Sequence, residues 1–310
     1  MTATLTAPGP VLVGVDGSTP NASAVAWAAA EASASGGSVP LVLVHDAQSA
    51  AGPAGRVILE RAATMAVALD RQLTPSSELV GGGPAASLRA CALTWERALE
   101  RESGSALVVV GRRGQGAHRR ISLGRTARTL THQDGPTLVV VPDAWAPGQV
   151  PAQAPILVDV GTVGQVPATG AAPGHDPQDT SIQRAQRVQR VPRVQGVQRA
   201  LGLALARAAR EERPLLALAS WSVPVAVASQ ARDIREVWAE HADRAEQALE
   251  DLLAPWRSLY PQVALTGTAT DRNPVLALLA HAEDTELLVL HRGPRASAVV
   301  EYANTPVALV

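Results

Sequence analysis

Lysine and phenylalanine are both missing from this chain, and cysteine occurs once, methionine twice and tyrosine twice among 310 residues. All 27 cationic side chains are therefore arginine. A single cysteine, Cys91, rules out an intramolecular disulfide and a multi-cysteine metal site, and it fits a reducing compartment. It lies in an Ala/Leu-rich helical pattern and reads as a small buried hydrophobe rather than a reactive thiol. A formal net charge of −1 argues against a surface built throughout for nucleic acid or anionic membrane. Residues 1–10 carry no positive side chain and no long apolar run, so they do not read as a signal peptide. No apolar stretch is long enough to span a bilayer, and a cytoplasmic protein is expected. The seven histidines show no pairing at metal-ligand spacing. No Gly-x-Ser-x-Gly elbow and no local Ser/His/Asp set point to an enzyme.

What remains is a chain with 46% apolar and 18% charged residues, which is a folding composition, at a length that favours two domains. With no Phe, its core must come from Ala, Val and Leu, and the six Trp supply most of the aromatic area.

Two edges of the pattern recur. An apolar run ending in aspartate occurs at Val11 to Asp16 and again at Ile156 to Asp159; a closing strand follows a turn residue at Thr137 to Pro142 and again at Pro306 to Val310. Between these edges strand-like and helix-like segments alternate, the signature of a parallel sheet with crossover helices. In the first half the strands read as Val11–Asp16, Leu41–His45, Glu78–Gly81, Ala106–Val110 and Thr137–Val141. They are nearly continuous in Val and Leu, as parallel strands covered on both faces require. Thr19 can cap the first helix, with Pro20 at its first position, and Gly36-Gly37 ends it. In the second half Leu215–Ser220, Val263–Gly267 and Leu287–His291 read as strands, and Asp233 to Tyr260 as a helix that Pro255 interrupts. This gives domains at 9–143 and 155–310, joined by a Pro/Ala/Gly-rich linker at 144–154. The second carries a low-complexity insert at 162–198, whose Gln-Arg triplets do not fit a helical stripe and read as a solvated loop.

The segment Gly111 to Thr126 holds the chemistry. It follows a buried strand and precedes a helix from Arg125 to His132, at the carboxyl edge of the sheet where α/β folds bind ligands. A helix amino terminus offers free N–H groups and a positive dipole end, a ready site for phosphate. Gly111, Gly114 and Gly124 let the backbone approach a ligand and permit positive φ. Arg112, Arg113, Arg119, Arg120 and Arg125 add charge. The spacing is Gly, two residues, Gly, nine residues, Gly.

That spacing resembles the nucleotide-binding loop of the universal stress proteins. Val13-Gly14-Val15-Asp16-Gly17-Ser18 is similar to the family's first strand and turn, Val80 to Ala85 to its third strand and helix start, and Leu107 to Gly114 to its fourth strand and loop. The resemblance covers residues 9–143, and more faintly the rest as a tandem second copy. It implies two Rossmann-like α/β domains of the adenine nucleotide alpha hydrolase-like kind, each a five-stranded parallel sheet flanked by helices. It implies ATP or a related adenine nucleotide, with or without Mg, in a stress-response protein that acts by binding rather than turnover. By position, Asp16 lies near the ribose and His45 and Asp46 near the adenine. Gly111, Arg112, Gly114, Gly124, Arg125 and Thr126 surround the phosphates. Where the family usually places Ser or Thr after the last glycine, this chain has Arg125, which either contacts phosphate or obstructs the pocket. The next-but-one position, commonly Ser, is Ala127. The two halves are expected to form an intramolecular pseudo-dimer, open to further homodimerisation and to an unidentified protein partner, with no nucleic acid or membrane involved.

Duller readings fit some of the same residues. Asp16 can serve only its turn, His45 can be a packed core residue, and some of the arginines can be a solvated face. In the second half His291 and Pro294 fall where the first two glycines stand, and most of the loop is missing, so that half should not bind nucleotide in the same way. Asp16-Gly17-Ser18 also lacks the preceding Ser-Gly-Gly of pyrophosphate-releasing ATP enzymes, which argues against an adenylating enzyme. A nucleotide-free tandem scaffold and a slow ATPase are the other functional readings.

Overall fold

The computed structural model describes residues 9–34, 40–46, 53–98, 106–114, 123–164 and 179–310, with the backbone alone for 179–194. It divides into two compact units. The first comprises residues 1–154, 282–288 and 292–310, and the second residues 155–281 and 289–291.

In the first unit β1 (Val11–Gly14), α1 (Asn21–Ala34), β2 (Leu41–Asp46), α2 (Pro53–Leu69), β3 (Ser76–Val80), α3 (Pro84–Ala98), β4 (Leu107–Gly111), α4 (Arg125–His132) and β5 (Thr137–Val141) alternate strand and helix. The strands lie in the order β3-β2-β1-β4-β5 and are all parallel. The central ones are buried on both faces: Leu12, Val13, Val42, Leu43 and Val109 show no exposed surface, which explains their unbroken Val/Leu composition. The order reverses between β1 and β4, so the loops after these two strands flank a crevice at the carboxyl edge.

Local details depart from sequence expectation. Helix α1 begins at Asn21, because Asn21 and Ala22 donate their N–H groups to Ser18 and Thr19 carbonyls and close a turn there first. The Gly36-Gly37 stop lies outside the described residues. Trp27, 2% exposed, and Trp145, 8% exposed, supply large buried aromatics to this Phe-free core.

The chain's last elements also belong to the first unit. Helix α9 (Ala296–Tyr302) precedes β10 (Val307–Leu309), which runs antiparallel along β5, pairing Val307 with Val140 and Leu309 with Leu138.

The second unit holds β6 (Ile156–Thr162), α5 (Asp179–Glu211), β7 (Leu215–Ser220), α6 (Val225–Gln230), α7 (Ile234–Leu259) and β8 (Leu265–Thr270), with most of α8 (Pro274–Ala282) and the end of β9 (Leu287–Leu290). Strands β6, β7 and β8 are parallel neighbours. Two expectations are corrected here. The Gln-Arg triplets fall inside α5, so their backbone is helical and not a loop. Gln, Arg and Ala are all good helix formers, and the helix is anchored further along by a buried stripe of Ala200, Leu201, Ala204, Leu205 and Ala208. The earlier part of the insert, 165–178, lies outside the described residues. Nor does Pro255 interrupt α7: the helix runs on to Leu259. His241, Ala245, Leu249 and Leu253, buried at every fourth position, hold it against the core, and Trp256 stacks with Tyr260 at its end. No helix among the described residues is long and apolar enough to cross a membrane.

Candidate functional site

A cleft of about 750 Å³ opens at the carboxyl edge of the first unit. Its walls come from the turn after β1 (Asp16), the start of α1 (Asn21), the end of β2 (His45, Asp46), the start of α3 (Pro84, Ser87), the end of β4 and the loop after it (Gly111, Arg113, Gly114), and the start of α4 (Gly124, Arg125, Thr126, Arg128).

Asp16 serves its own turn: Oδ1 accepts the Ser18 N–H at 2.9 Å and the Ser18 hydroxyl at 2.6 Å. The second copy repeats this, with Asp159 Oδ1 accepting the Gly161 N–H at 2.9 Å. The other Asp16 oxygen explains Gly114. A Cβ placed on Gly114 would collide with Asp16 Oδ2, and one on Gly124 would press on the Arg112 carbonyl at 3.1 Å. One on Gly111 would meet the Arg113 carbonyl at the same 3.1 Å. None of these three glycines has positive φ, and Gly124 sits at −64°. Glycine is needed here for close approach, which corrects the expectation of left-handed backbone.

His45 is 2% exposed. Its Nδ1 lies 2.6 Å from the Val15 carbonyl. A carbonyl can only accept, so Nδ1 carries a hydrogen and donates it to Val15. Among the described residues Nε2 has no hydrogen-bond partner. Asp46, 6% exposed, accepts the Gly83 N–H at 3.2 Å and lies 3.5 Å from the Ser87 hydroxyl. Both residues at the end of β2 thus reach the cleft, joined to the turns beside it.

Helix α4 begins without a side-chain cap at Gly124. Its first-turn N–H groups have no partner within the helix, and Arg125 and Thr126 from that turn line the cleft. Arg125 and Arg128 are exposed. Arg113 is held in an ion pair with Asp143, whose carbonyl accepts the Ser23 hydroxyl at 2.8 Å. The cleft carries both signs of charge: the carboxylates of Asp16 and Asp46 and the guanidinium groups of Arg113, Arg125 and Arg128, with Asp16 beside Gly114. Among the described residues no group of three or more His, Cys, Asp or Glu could hold a metal ion.

Of the residues picked from sequence, Asp16, His45, Asp46, Gly111, Gly114, Gly124, Arg125 and Thr126 line this one cleft, and Arg112 does not. Its guanidinium turns away and donates to the Glu301 and Ala303 carbonyls at 3.3 and 3.0 Å. Burial pushes it below the usual arginine range, with Asp143 opposing that shift and Arg113 adding to it. Arg119 and Arg120 lie outside the described residues. Sequence reasoning missed Asn21, which is 7% exposed and donates from Nδ2 to the Gly14 carbonyl at 2.7 Å, and Ser87, which is 1% exposed. A lone Asn opening an Ala-rich helix was the available signal for the first, since a polar group buried there needs a partner.

In the second copy the corresponding strand, β9, leads to His291, whose side chain packs where a Cβ on Gly196 of α5 would stand, at 2.9 Å. Helix α9 follows after a few residues and, like α4, has no side-chain cap.

Comparison with known proteins agrees with this architecture. Residues 9–141 match the model of the Universal stress protein family. The chain is 26% identical over 299 residues to a universal stress protein of Mycobacterium tuberculosis, covering 90% of this chain and 85% of that one. It is 28% identical over 332 residues to a universal stress protein of Mycolicibacterium smegmatis, covering 97% and 96%. The crystal structure of a universal stress protein from Archaeoglobus fulgidus DSM 4304 has the same fold, with a TM-score of 0.58 at 11% identity over 98% of this chain and 96% of that one. Residues 9–141 are a domain of the Universal stress protein family, and the chain as a whole is similar to universal stress proteins over most of its length.

Proposed function

We propose that the first half of the chain, residues 9–143, binds one molecule of ATP or a related adenine nucleotide, and that the protein acts in the stress response through this bound state rather than by turnover. The observation that carries the reading is the polarity of a single cleft. It sets His45 and Asp46 after β2 on one side and the uncapped start of α4, with Arg125, beyond β4 on the other, with Asp16 between them beside Gly114. Such a cleft suits a ligand with a hydrogen-bonding head and an anionic tail. A base and ribose on the β2 side would meet acceptors. Phosphates at the α4 end would meet free N–H groups, the helix dipole and guanidinium charge. Its volume falls within the range of small-molecule sites, about 300–1,000 Å³. A magnesium ion, if it accompanies the nucleotide, would be carried by the phosphates, with water completing its shell.

The second half, residues 155–310, would not bind nucleotide in this way, since His291 packs against α5 at the end of the corresponding strand. The protein would then pass the state of one site to a protein partner.

Thermal-shift titration with ATP tests this. Stabilisation that rises with the logarithm of ATP concentration above Kd is expected, and it should vanish in Gly114→Val and Gly124→Val. No shift at millimolar ATP would sink the reading, and phosphate release that those variants abolish would replace it with a slow ATPase.

A further inference from the structure

Arg112 sits between two residues of the cleft, Gly111 and Arg113, yet points elsewhere, and its bonds tie the loop to a distant part of the chain. Its N–H donates to the Val141 carbonyl at 2.8 Å, holding it to the end of β5. Its carbonyl accepts the Gly124 N–H at 2.8 Å, which fixes the residue that opens α4. Its guanidinium donates from Nη1 to the carbonyls of Glu301 and Ala303, the last turn and C-cap of α9. A cation there also meets the negative end of that helix. One residue thus links the two described ends of the glycine loop to the segment Glu301–Ala303, which lies about 190 positions further along the chain.

A second arginine holds the chain's C-terminal stretch at another place. Arg292 donates to the Gly135 and Pro136 carbonyls at 3.2 and 2.6 Å, on the approach to β5. The two clamps allow a structural role to be separated from a role in the site.

We propose that Arg112 is a positioning residue for the cleft: by capping α9 it sets the Gly124 end of the phosphate loop, so that ligand binding and the docking of Glu301–Ala303 are thermodynamically linked. Glycine-rich backbone is inexpensive to deform and needs an external anchor to hold one geometry. Here the anchor belongs to the chain's last helix. Linkage is reciprocal, so a ligand that orders the loop must also tighten the α9 contact.

This rests on the nucleotide reading and is tested on the full chain with ATP as probe. The variants are Arg112→Met, which keeps the aliphatic stem, Arg112→Lys, which restores a donor, and Arg292→Met as the control clamp. Isothermal titration gives affinity, and hydrogen exchange of residues 296–303 with and without ATP reads the coupling. Arg112→Met should weaken ATP binding about tenfold, Arg112→Lys should recover part of it, and Arg292→Met should stay within about twofold of the parent. ATP should slow exchange in 296–303 in the parent and in Arg292→Met, and not in Arg112→Met. Equal losses in the two Met variants, or no loss in either, would overturn the proposal, as would exchange in 296–303 that ignores ATP in a parent that binds it. A parent that binds no ATP overturns the nucleotide reading itself, and this coupling with it.

Discussion

The Asp16 carboxylate stands beside Gly114 so closely that any side chain at 114 would collide with its Oδ2 atom. The first strand's aspartate and the second glycine of the loop are therefore a matched pair, even though 98 positions separate them. Asp16 spends one oxygen on the turn at Ser18 and projects the other beside the loop. Gly114→Ala must displace either the carboxylate or the loop. Expected is a loss of ATP affinity of at least about tenfold, roughly 1.4 kcal/mol, with the unfolding midpoint of the ligand-free protein little changed. Calorimetric titration beside urea unfolding checks both. Unaltered affinity in a folded variant would show that the pair does not shape the site.

Arg125 replaces the hydroxyl residue that the resemblance leads one to expect after the last glycine. Its side chain is exposed on the first turn of α4 and lines the cleft. An exposed charge contact is worth about 0.5–1 kcal/mol, so Arg125→Ala should weaken ATP about two- to fivefold, and by less in high salt. Adenosine, which has no phosphates, should bind both forms alike. If Arg125→Ala instead tightens ATP, the arginine obstructs the site.

Cys91 is 3% exposed, and its thiol is pushed up to about 12, first by burial and then by its hydrogen bond to Glu78 and the charge there. The folded state therefore keeps its proton where an unfolded chain would lose it. Stability from this group is fully present below about 9 and falls as pH rises from there toward about 12. Iodoacetamide at pH 8 should modify the unfolded protein and leave the native thiol intact over the same time. Rapid modification of the native state would place the thiol in contact with solvent.

Trp27 is a large, fully enclosed side chain in a core without phenylalanine. Trp27→Ala should cost about 3–5 kcal/mol, because it leaves a cavity that a close-packed core fills only in part. Urea unfolding followed by circular dichroism measures it, and a loss below about 1 kcal/mol would mean that the surrounding helices collapse into the cavity.

Much of the first unit was legible because its strands bury both faces and must be Val- and Leu-rich, so Leu41–Asp46 and Thr137–Val141 stand out of their surroundings. The cleft was legible through spacing, since Gly111, Gly114 and Gly124 mark backbone that must come close. The reason for those glycines was not, because the crowding at 114 comes from Asp16 and that at 124 from the Arg112 carbonyl. The direction of Arg112 was beyond local pattern altogether, as its acceptors lie at the other end of the chain. Helix α5 was misjudged because a triplet repeat carries no helical stripe. Propensity and an anchored second half suffice to continue a helix that has already started.

The most direct test of the account is the stoichiometry and affinity of ATP binding to the full chain, measured by equilibrium dialysis alongside Gly124→Val. One saturable site per chain, lost in Gly124→Val, is the predicted result. Two equal sites, or none at millimolar ATP in a folded protein, would contradict it.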